Sequence, residues 1–123
     1  MNGDPLTSQI IGAAIEVHRH WGPDLYEEIY EKSLCCELAL RKVSFCAQVR
    51  LPMVYKGEIV GDELRLDLLV NNSVVVEIKA VSQLEEIHTA QLLTYMKLTS
   101  CNTGLLINFN VPVLKNGIRR MVL

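Results

Sequence analysis

Residues 74–80 have the sequence Val-Val-Val-Glu-Ile-Lys-Ala, in which two ionisable side chains interrupt the most apolar stretch of the chain. A near-continuous apolar run of this length is typical of a strand at the centre of a sheet. Alternation along such a strand places Glu77 and Lys79 on one face and Val76 and Ile78 on the other. Because charges in a central strand are costly to desolvate unless they are paired or bind a metal, we expect a specific partner for them.

The preceding strand, predicted from about Leu64 to Val70, carries a similar acidic interruption at Asp67. The polar segment Asn71–Ser73 predicts a turn between the two strands. If this turn is a three-residue loop, Asp67 lies opposite Glu77 and both acids share one face. A two-residue loop would shift the register by one and send Asp67 to the other face. The pairing of the two acids therefore depends on the length of the loop.

Two carboxylates directly opposite each other destabilise a sheet unless a cation lies between them or one of them is protonated. A divalent cation, Mg²⁺ or Mn²⁺, suits Asp67 and Glu77, since Mg²⁺ takes carboxylate oxygens, retains waters and leaves positions for a phosphate oxygen. Lys79, on the same face as Glu77, could orient or deprotonate a metal-bound water. This combination predicts metal-assisted phosphodiester hydrolysis. The alternative is a structural Glu77–Lys79 pair with Asp67 at a solvated end of the sheet.

Periodicity predicts the remaining elements and the fold class. The strand–helix–strand passage from Val74 to Phe109 implies a right-handed parallel crossover, hence a mixed sheet, an α/β or α+β class and one domain over residues 1–123. The other predicted elements are a helix over Leu6–His20 capped by Asp4 or Thr7, a helix from Asp24 to about Arg41 opened by an Asp24–Glu27 capping box, strands at 45–51 and 58–60 around a Lys56-Gly57 turn, a helix to Thr99 opened by a Ser82–Glu85 capping box, and strands at 105–107 and 118–122, the second entered by an Asn116-Gly117 hairpin turn.

Composition limits the range of partners. Twelve Lys and Arg residues against fourteen Asp and Glu residues give a net charge of −2, so no global positive field attracts nucleic acid or an anionic membrane. Binding of DNA or RNA requires a local basic patch, for which the candidates are Arg50, Arg65, Lys97, Arg119 and Arg120. No apolar run approaches the roughly 20 residues of a membrane helix, so we expect a cytoplasmic protein without a membrane partner.

The arrangement of Asp67 followed by Glu77-Ile78-Lys79 on an apolar strand resembles the PD-(D/E)XK nuclease-like superfamily. Further motifs, spread over essentially the whole chain, resemble those of the small bacterial GxxExxY proteins. These motifs are Glu-Val-His at 16–18, Trp-Gly-Pro at 21–23, the helix start at 25–30, Glu-Ile-Lys-Ala at 77–80, His-Thr-Ala-Gln-Leu-Leu-Thr-Tyr at 88–95, Gly-Leu-Leu-Ile-Asn-Phe at 104–109 and Gly-Ile-Arg-Arg at 117–120.

The resemblance implies a restriction-endonuclease-like αβββαβ core, with a mixed sheet flanked by helices. It further implies that Asp67 and Glu77 ligate Mg²⁺ or Mn²⁺, that Lys79 serves the attacking water, and that Glu27 is a further ligand or orients metal-bound water. Gln91 and Tyr95 resemble the Q-x-x-x-Y element that lies near the site or the substrate backbone in related exonuclease-like branches.

Structural alternatives remain open for the residues around this set. Glu27 could be only the partner of Asp24 in a capping box, and Tyr95 could be a core residue capped by Gln91. Tyr30 could steady Glu27 at a substrate-binding surface or pack in the apolar stripe of its helix. Asp24 stands where the GxxExxY motif has glycine, and its capping ability predicts little loss of fold.

Two functions follow from the predicted site residues and the family resemblance. The first is a Mg²⁺-dependent nuclease, and the second is a non-catalytic binding or assembly module of the same fold. A homodimer is expected on size alone, because 123 residues offer little surface to grip a duplex.

Overall fold

The computed structural model describes residues 4–123, which form a five-stranded mixed sheet, a separate two-stranded hairpin and three α-helices. The elements are α1 (Pro5–Trp21), α2 (Glu27–Leu40), β1 (Phe45–Leu51), β2 (Val54–Tyr55), β3 (Glu58–Ile59), β4 (Leu64–Val70), β5 (Val74–Lys79), α3 (Glu86–Thr99), β6 (Thr103–Asn108), a 3₁₀ turn (Leu114–Gly117) and β7 (Ile118–Val122).

The large sheet has the strand order β1-β4-β5-β6-β7. Only β5 and β6 pair in parallel, and α3 connects them as the predicted crossover, whereas the other three pairs are antiparallel. The fold is therefore α+β with a restriction-endonuclease-like core, as predicted. The strand with the Glu-Ile-Lys sequence lies in the middle of the sheet, which explains its apolar character.

Two apolar cores, one on each face of the sheet, hold β5 in place. Val76 and Ile78 pack with α1 and α2, whereas Val75 packs with α3. Burial of apolar surface stabilises the folded state by about 25 cal/mol per Å². Because β5 buries apolar side chains on both faces, this stabilisation fixes the register and orientation of the strand. Glu77 and Lys79 therefore occupy positions that the packing of their neighbours defines.

The first helix begins as predicted, but the second does not. Asp4 caps α1 by accepting the N–H of Thr7 at 2.8 Å. The Asp24–Glu27 capping box is wrong, because α2 begins at Glu27 with Tyr26 as an N-cap that makes no side-chain bond. Asp24 has a left-handed backbone with φ +75°, a conformation that favours glycine. The structure therefore gives a physical reason for a glycine at this position of the motif.

Two further boundaries differ from the prediction. The Ser82–Glu85 capping box is wrong, because α3 begins at Glu86 and Glu85 forms the capping box with His88 instead. Asn116-Gly117 is not a tight hairpin turn, since the chain between β6 and β7 passes through the 3₁₀ turn. The Nε2 atom of His18 lies 2.8 Å from the carbonyl oxygen of Val111, so this histidine ties α1 to that connection as a structural residue.

Membrane insertion through a helix finds no support in the fold. Within residues 4–123, each helix is too short or too polar to cross a bilayer.

Candidate active site

The turn between β4 and β5 has the length that brings the two acids together. Asn71 and Asn72 both have left-handed φ values, 51° and 53°, and the N–H of Ser73 donates to the carbonyl of Val70 at 2.9 Å. The three pairs that follow the turn are Val70 with Val74, Leu69 with Val75 and Leu68 with Val76. The three-residue loop is therefore confirmed, and this register places Asp67 opposite Glu77.

At Asp67 and Glu77 the ladder of backbone hydrogen bonds gives way to side-chain bonds. The N–H of Asp67 donates to Oε2 of Glu77 at 2.8 Å, and the N–H of Ile78 donates to Oδ2 of Asp67 at 2.8 Å. Each carboxylate thus accepts a backbone N–H of the neighbouring strand, as a backbone carbonyl would in a regular ladder. The second oxygen of each carboxylate makes no hydrogen bond within residues 4–123. Because no buried side-chain oxygen in this range lacks a partner, both of these oxygens are at least partly exposed. These two oxygens are free to accept a ligand.

Burial and mutual repulsion disfavour the charged forms of both acids. Burial raises the pKa of Glu77 to about 8, and the charge of Asp67 adds to the rise. Burial also raises the pKa of Asp67 to about 6, against the opposing effects of the N–H of Ile78 and the charge of Lys79. Glu77 is only 3 % exposed. A bound cation would favour the charged forms of both groups.

Lys79, Gln91 and Tyr95 form a polar row from β5 to α3 beside the acids. The Nζ of Lys79 lies 3.5 Å from Oε1 of Gln91, and Nε2 of Gln91 donates to the hydroxyl of Tyr95 at 3.2 Å. Tyr95 is buried in the core under α3, and burial raises its pKa, with the charges of Glu77 and Asp67 adding to the effect. Gln91 therefore positions Lys79, and Tyr95 anchors Gln91 from the core.

The side-chain alternation of β4 slips at Asp67. Leu66 packs under α3, whereas Leu68 packs under α1 and α2, although ordinary alternation would put both on one face. The partner strand slips at the same level, since Gln48 has φ +53° and forms no strand pair with Asp67. This double kink opens the ladder where the carboxylates enter it.

The side chain of Gln48 holds a further acid from α2. Its Nε2 donates to Glu31, with the two carboxylate oxygens at 3.0 and 2.8 Å. The charge of Glu31 contributes to the raised pKa of both Asp67 and Glu77, and the exposed Glu27 contributes to that of Asp67. Glu31 and Gln48 were not predicted as site residues from the sequence. The four-residue spacing of Glu27 and Glu31, which puts them on one helix face, was the available signal.

Tyr30 lies in the core on the α1–α2 side of the sheet. It is fully buried, and its ring stacks on Phe109 with centroids 4.6 Å apart. Its hydroxyl donates to the carbonyl of Gly22 at 2.6 Å and accepts the N–H of Leu25 at 3.1 Å. Tyr30 therefore packs in the apolar stripe of its helix and stabilises the turn before α2.

The donor set fits a hard divalent cation held by two carboxylates. Asp67 and Glu77 present two free oxygens at one point, and Mg²⁺ is commonly bound by one or two carboxylates with water completing its shell. Within the described part of the chain, no group of three or more His, Cys, Asp or Glu side chains is arranged to hold a metal directly. Glu27, expected as a further ligand, is therefore not part of a direct ligand group with Asp67 and Glu77 in this structure, although its charge acts on Asp67.

Comparison with solved structures supports the same fold. The chain is similar to the protein titled "Crystal structure of SSO0001", with a TM-score of 0.52 and 16 % identity over 98 % of this chain and 67 % of that one. At this identity the likeness concerns the fold alone. A search of the curated proteins gives no significant match.

The sequence matches the model of the PD-(D/E)XK nuclease superfamily over residues 4–121. The chain therefore belongs to this superfamily, as its fold and its Asp67, Glu77 and Lys79 pattern had indicated.

Proposed function

We propose that this protein is a Mg²⁺- or Mn²⁺-dependent hydrolase of phosphodiester bonds in DNA or RNA. The observation that carries the proposal is the break in the β4–β5 ladder, where the buried carboxylate of Glu77 meets the partly buried one of Asp67 and each keeps one free oxygen. Two adjacent acids in a strand pair lower the stability of a sheet unless they serve a ligand. Superfamily membership supports the choice of nucleic acid as the substrate.

In this proposal each side chain has a separate task. Asp67 and Glu77 hold the cation, which when bound polarises a phosphate oxygen and makes water more acidic. Lys79 orients the attacking water and offsets negative charge as the water oxygen bonds to phosphorus and the P–O bond to the leaving sugar oxygen breaks. The attacking water gives up one proton and the leaving oxygen takes up one, so atoms and charge balance. Gln91 and Tyr95 keep Lys79 in place, and Glu27 and Glu31 orient water.

We also propose that the chain belongs to the GxxExxY branch of the superfamily. Glu27 and Tyr30 occupy the second and third positions of that motif. The left-handed backbone of Asp24 supports the assignment, because the motif has glycine there.

A non-catalytic binding or assembly module is the second candidate function. It is favoured by the absence of a three-residue ligand group among the described residues and by the net charge of −2. Cleavage activity separates the two candidates directly.

Metal binding is tested by thermal unfolding with and without Mg²⁺ or Mn²⁺. A metal concentration of 100 times Kd stabilises the folded state by about 2.7 kcal/mol. We expect the Tm of the wild type to rise accordingly. Asp67→Asn and Glu77→Gln should show much smaller shifts. Equal shifts in all three proteins would exclude the metal site.

Catalysis is tested by incubating single-stranded, double-stranded and structured DNA and RNA with the protein and Mn²⁺. We expect Lys79→Ala to lower the rate by about 10²–10³-fold, the range for loss of a group that stabilises developing negative charge. Cleavage that persists in Lys79→Ala would indicate a contaminant or another mechanism. Light scattering of the same samples tests the proposed homodimer.

A further inference from the structure

Two arginines face each other across the β1–β4 strand pair. Arg50 and Arg65 are direct partners in the register, and both are exposed. The apolar residues on either side of them pack under α3, so the two arginines lie on the opposite face of the sheet. These apolar neighbours are Val49, Leu51, Leu64 and Leu66.

The two arginines lack a close acidic partner. Arg50 lies 4.0 Å from Glu63, at the limit of an ion pair, and Arg65 forms no ion pair with any residue in the described range 4–123. Three other arginines approach a carboxylate more closely, at 3.3, 2.8 and 3.5 Å for Arg19, Arg41 and Arg120. Like charges placed directly opposite each other destabilise a strand pair. An anion bound between the two guanidinium groups would remove this repulsion.

The arginine pair adjoins the acidic site. It lies two residues along the strands from the level of Gln48 and Asp67, about 7 Å at the usual rise of a strand. Gln48 at that level contacts Glu31 of α2, the helix on the same side of the sheet as the two arginines. Glu77 and Lys79 start from the other face of the sheet, but the carboxylates of Asp67 and Glu77 meet in the opening between β4 and β5. A polyanion along the α2 side of β1 and β4 reaches the acids through this opening.

We propose that Arg50 and Arg65 form a phosphate clamp that holds the nucleic-acid backbone beside the phosphate at Asp67 and Glu77. The choice of nucleic acid as the anion rests on the proposed function. Guanidinium groups bind phosphate oxygens through two parallel hydrogen bonds, which gives this pair both affinity and orientation. The clamp supplies a local positive patch to a chain whose net charge is −2.

The test measures binding of a fluorescein-labelled 20-nucleotide single strand and its duplex by anisotropy. EDTA is present, so that metal-dependent cleavage and metal binding play no part. The Arg50→Gln/Arg65→Gln protein is compared with Arg19→Gln/Arg41→Gln, which has the same net charge but is altered at the ends of α1 and α2. Arg50→Lys/Arg65→Lys keeps the charges and removes the paired hydrogen bonds.

We expect Arg50→Gln/Arg65→Gln to raise Kd by about tenfold or more and to lower the slope of log K against log salt by one to two. The control should stay within about twofold of the wild type, and the lysine variant should keep the slope with a weaker Kd. The Tm of Arg50→Gln/Arg65→Gln should equal or exceed that of the wild type, because the repulsion is lost.

The clamp is overturned if the glutamine variant binds like the wild type, if the control loses as much affinity, or if the wild type shows no salt-dependent binding to either probe. The proposed hydrolase fails separately, through an absence of cleavage in Mn²⁺ while binding in EDTA still depends on the arginine pair.

Discussion

Near its turn, the β4–β5 hairpin is a regular apolar ladder of three pairs, whereas at Asp67 and Glu77 the same two strands are joined through carboxylates. The half near the turn is buried by both cores and contains no charge. The open half contains two acids, and Lys79 follows at its end. One pair of strands therefore combines an apolar part that stabilises the fold with an acidic part at the candidate active site.

The difference shows how a small sheet can hold a charged site. Apolar burial in the half near the turn offsets the desolvation cost of the acids in the other half. The break in the ladder confines that cost to one level of the sheet, where Gln48 and Asp67 both leave the regular pattern. Mutations in the two halves should consequently affect different properties.

The largest effect is expected in the half near the turn. Leu68 is fully buried, and Leu68→Ala should lower the free energy of unfolding by about 2–5 kcal/mol, because it leaves a cavity in the core. Urea unfolding measures the change, with the exposed Leu40→Ala as the control. A loss below about 1 kcal/mol would contradict the division of the hairpin into two halves.

The next effect concerns pH and the open half. The folded pKa values of Glu77 and Asp67, about 8 and about 6, exceed their ordinary values, so the folded state binds protons that the unfolded state has released. Stability without metal should therefore fall as pH rises from about 4, near the ordinary pKa values of the two acids, to about 8, by roughly 5–10 °C in Tm. Thermal unfolding in EDTA measures this, and Glu77→Gln should remove most of the slope. A rise of Tm with pH would refute the burial of uncompensated acids.

A smaller effect is expected at the kink itself. Gln48→Gly relieves the left-handed backbone but removes the amide that holds Glu31. Mn²⁺ affinity should fall about tenfold, the lower end of the range for residues that support ligands, while the Tm without metal stays the same or rises. Calorimetric titration measures the affinity. Unchanged affinity would make the Gln48–Glu31 contact irrelevant to the site.

The smallest effect is expected at a left-handed residue outside the hairpin. Asp24→Gly should stabilise the protein by up to about 1 kcal/mol, since glycine adopts φ +75° without a Cβ penalty. Mn²⁺ affinity should not change, which makes this variant the matched control for Gln48→Gly. Loss of stability would show that Asp24 contributes an interaction beyond its backbone.

Local patterns were sufficient for much of the fold. The alternation in residues 74–80 predicted a central strand, and the polar turn centred on Asn72 predicted the register that pairs Asp67 with Glu77. The strand–helix–strand order predicted the parallel crossover. Capping was less predictable, because Ser82 and Asp24 have side chains that suit an N-cap, yet the backbone at both places leads into other turns.

The sequence by itself determined that two acids and a lysine lie on neighbouring strands, because side-chain period and loop length are local properties. Only the tertiary structure determined that the ladder opens there, that Gln48 adopts a left-handed backbone and holds Glu31, and that Arg50 faces Arg65. These features depend on contacts between segments far apart in the chain, which the local spacing of side chains does not determine.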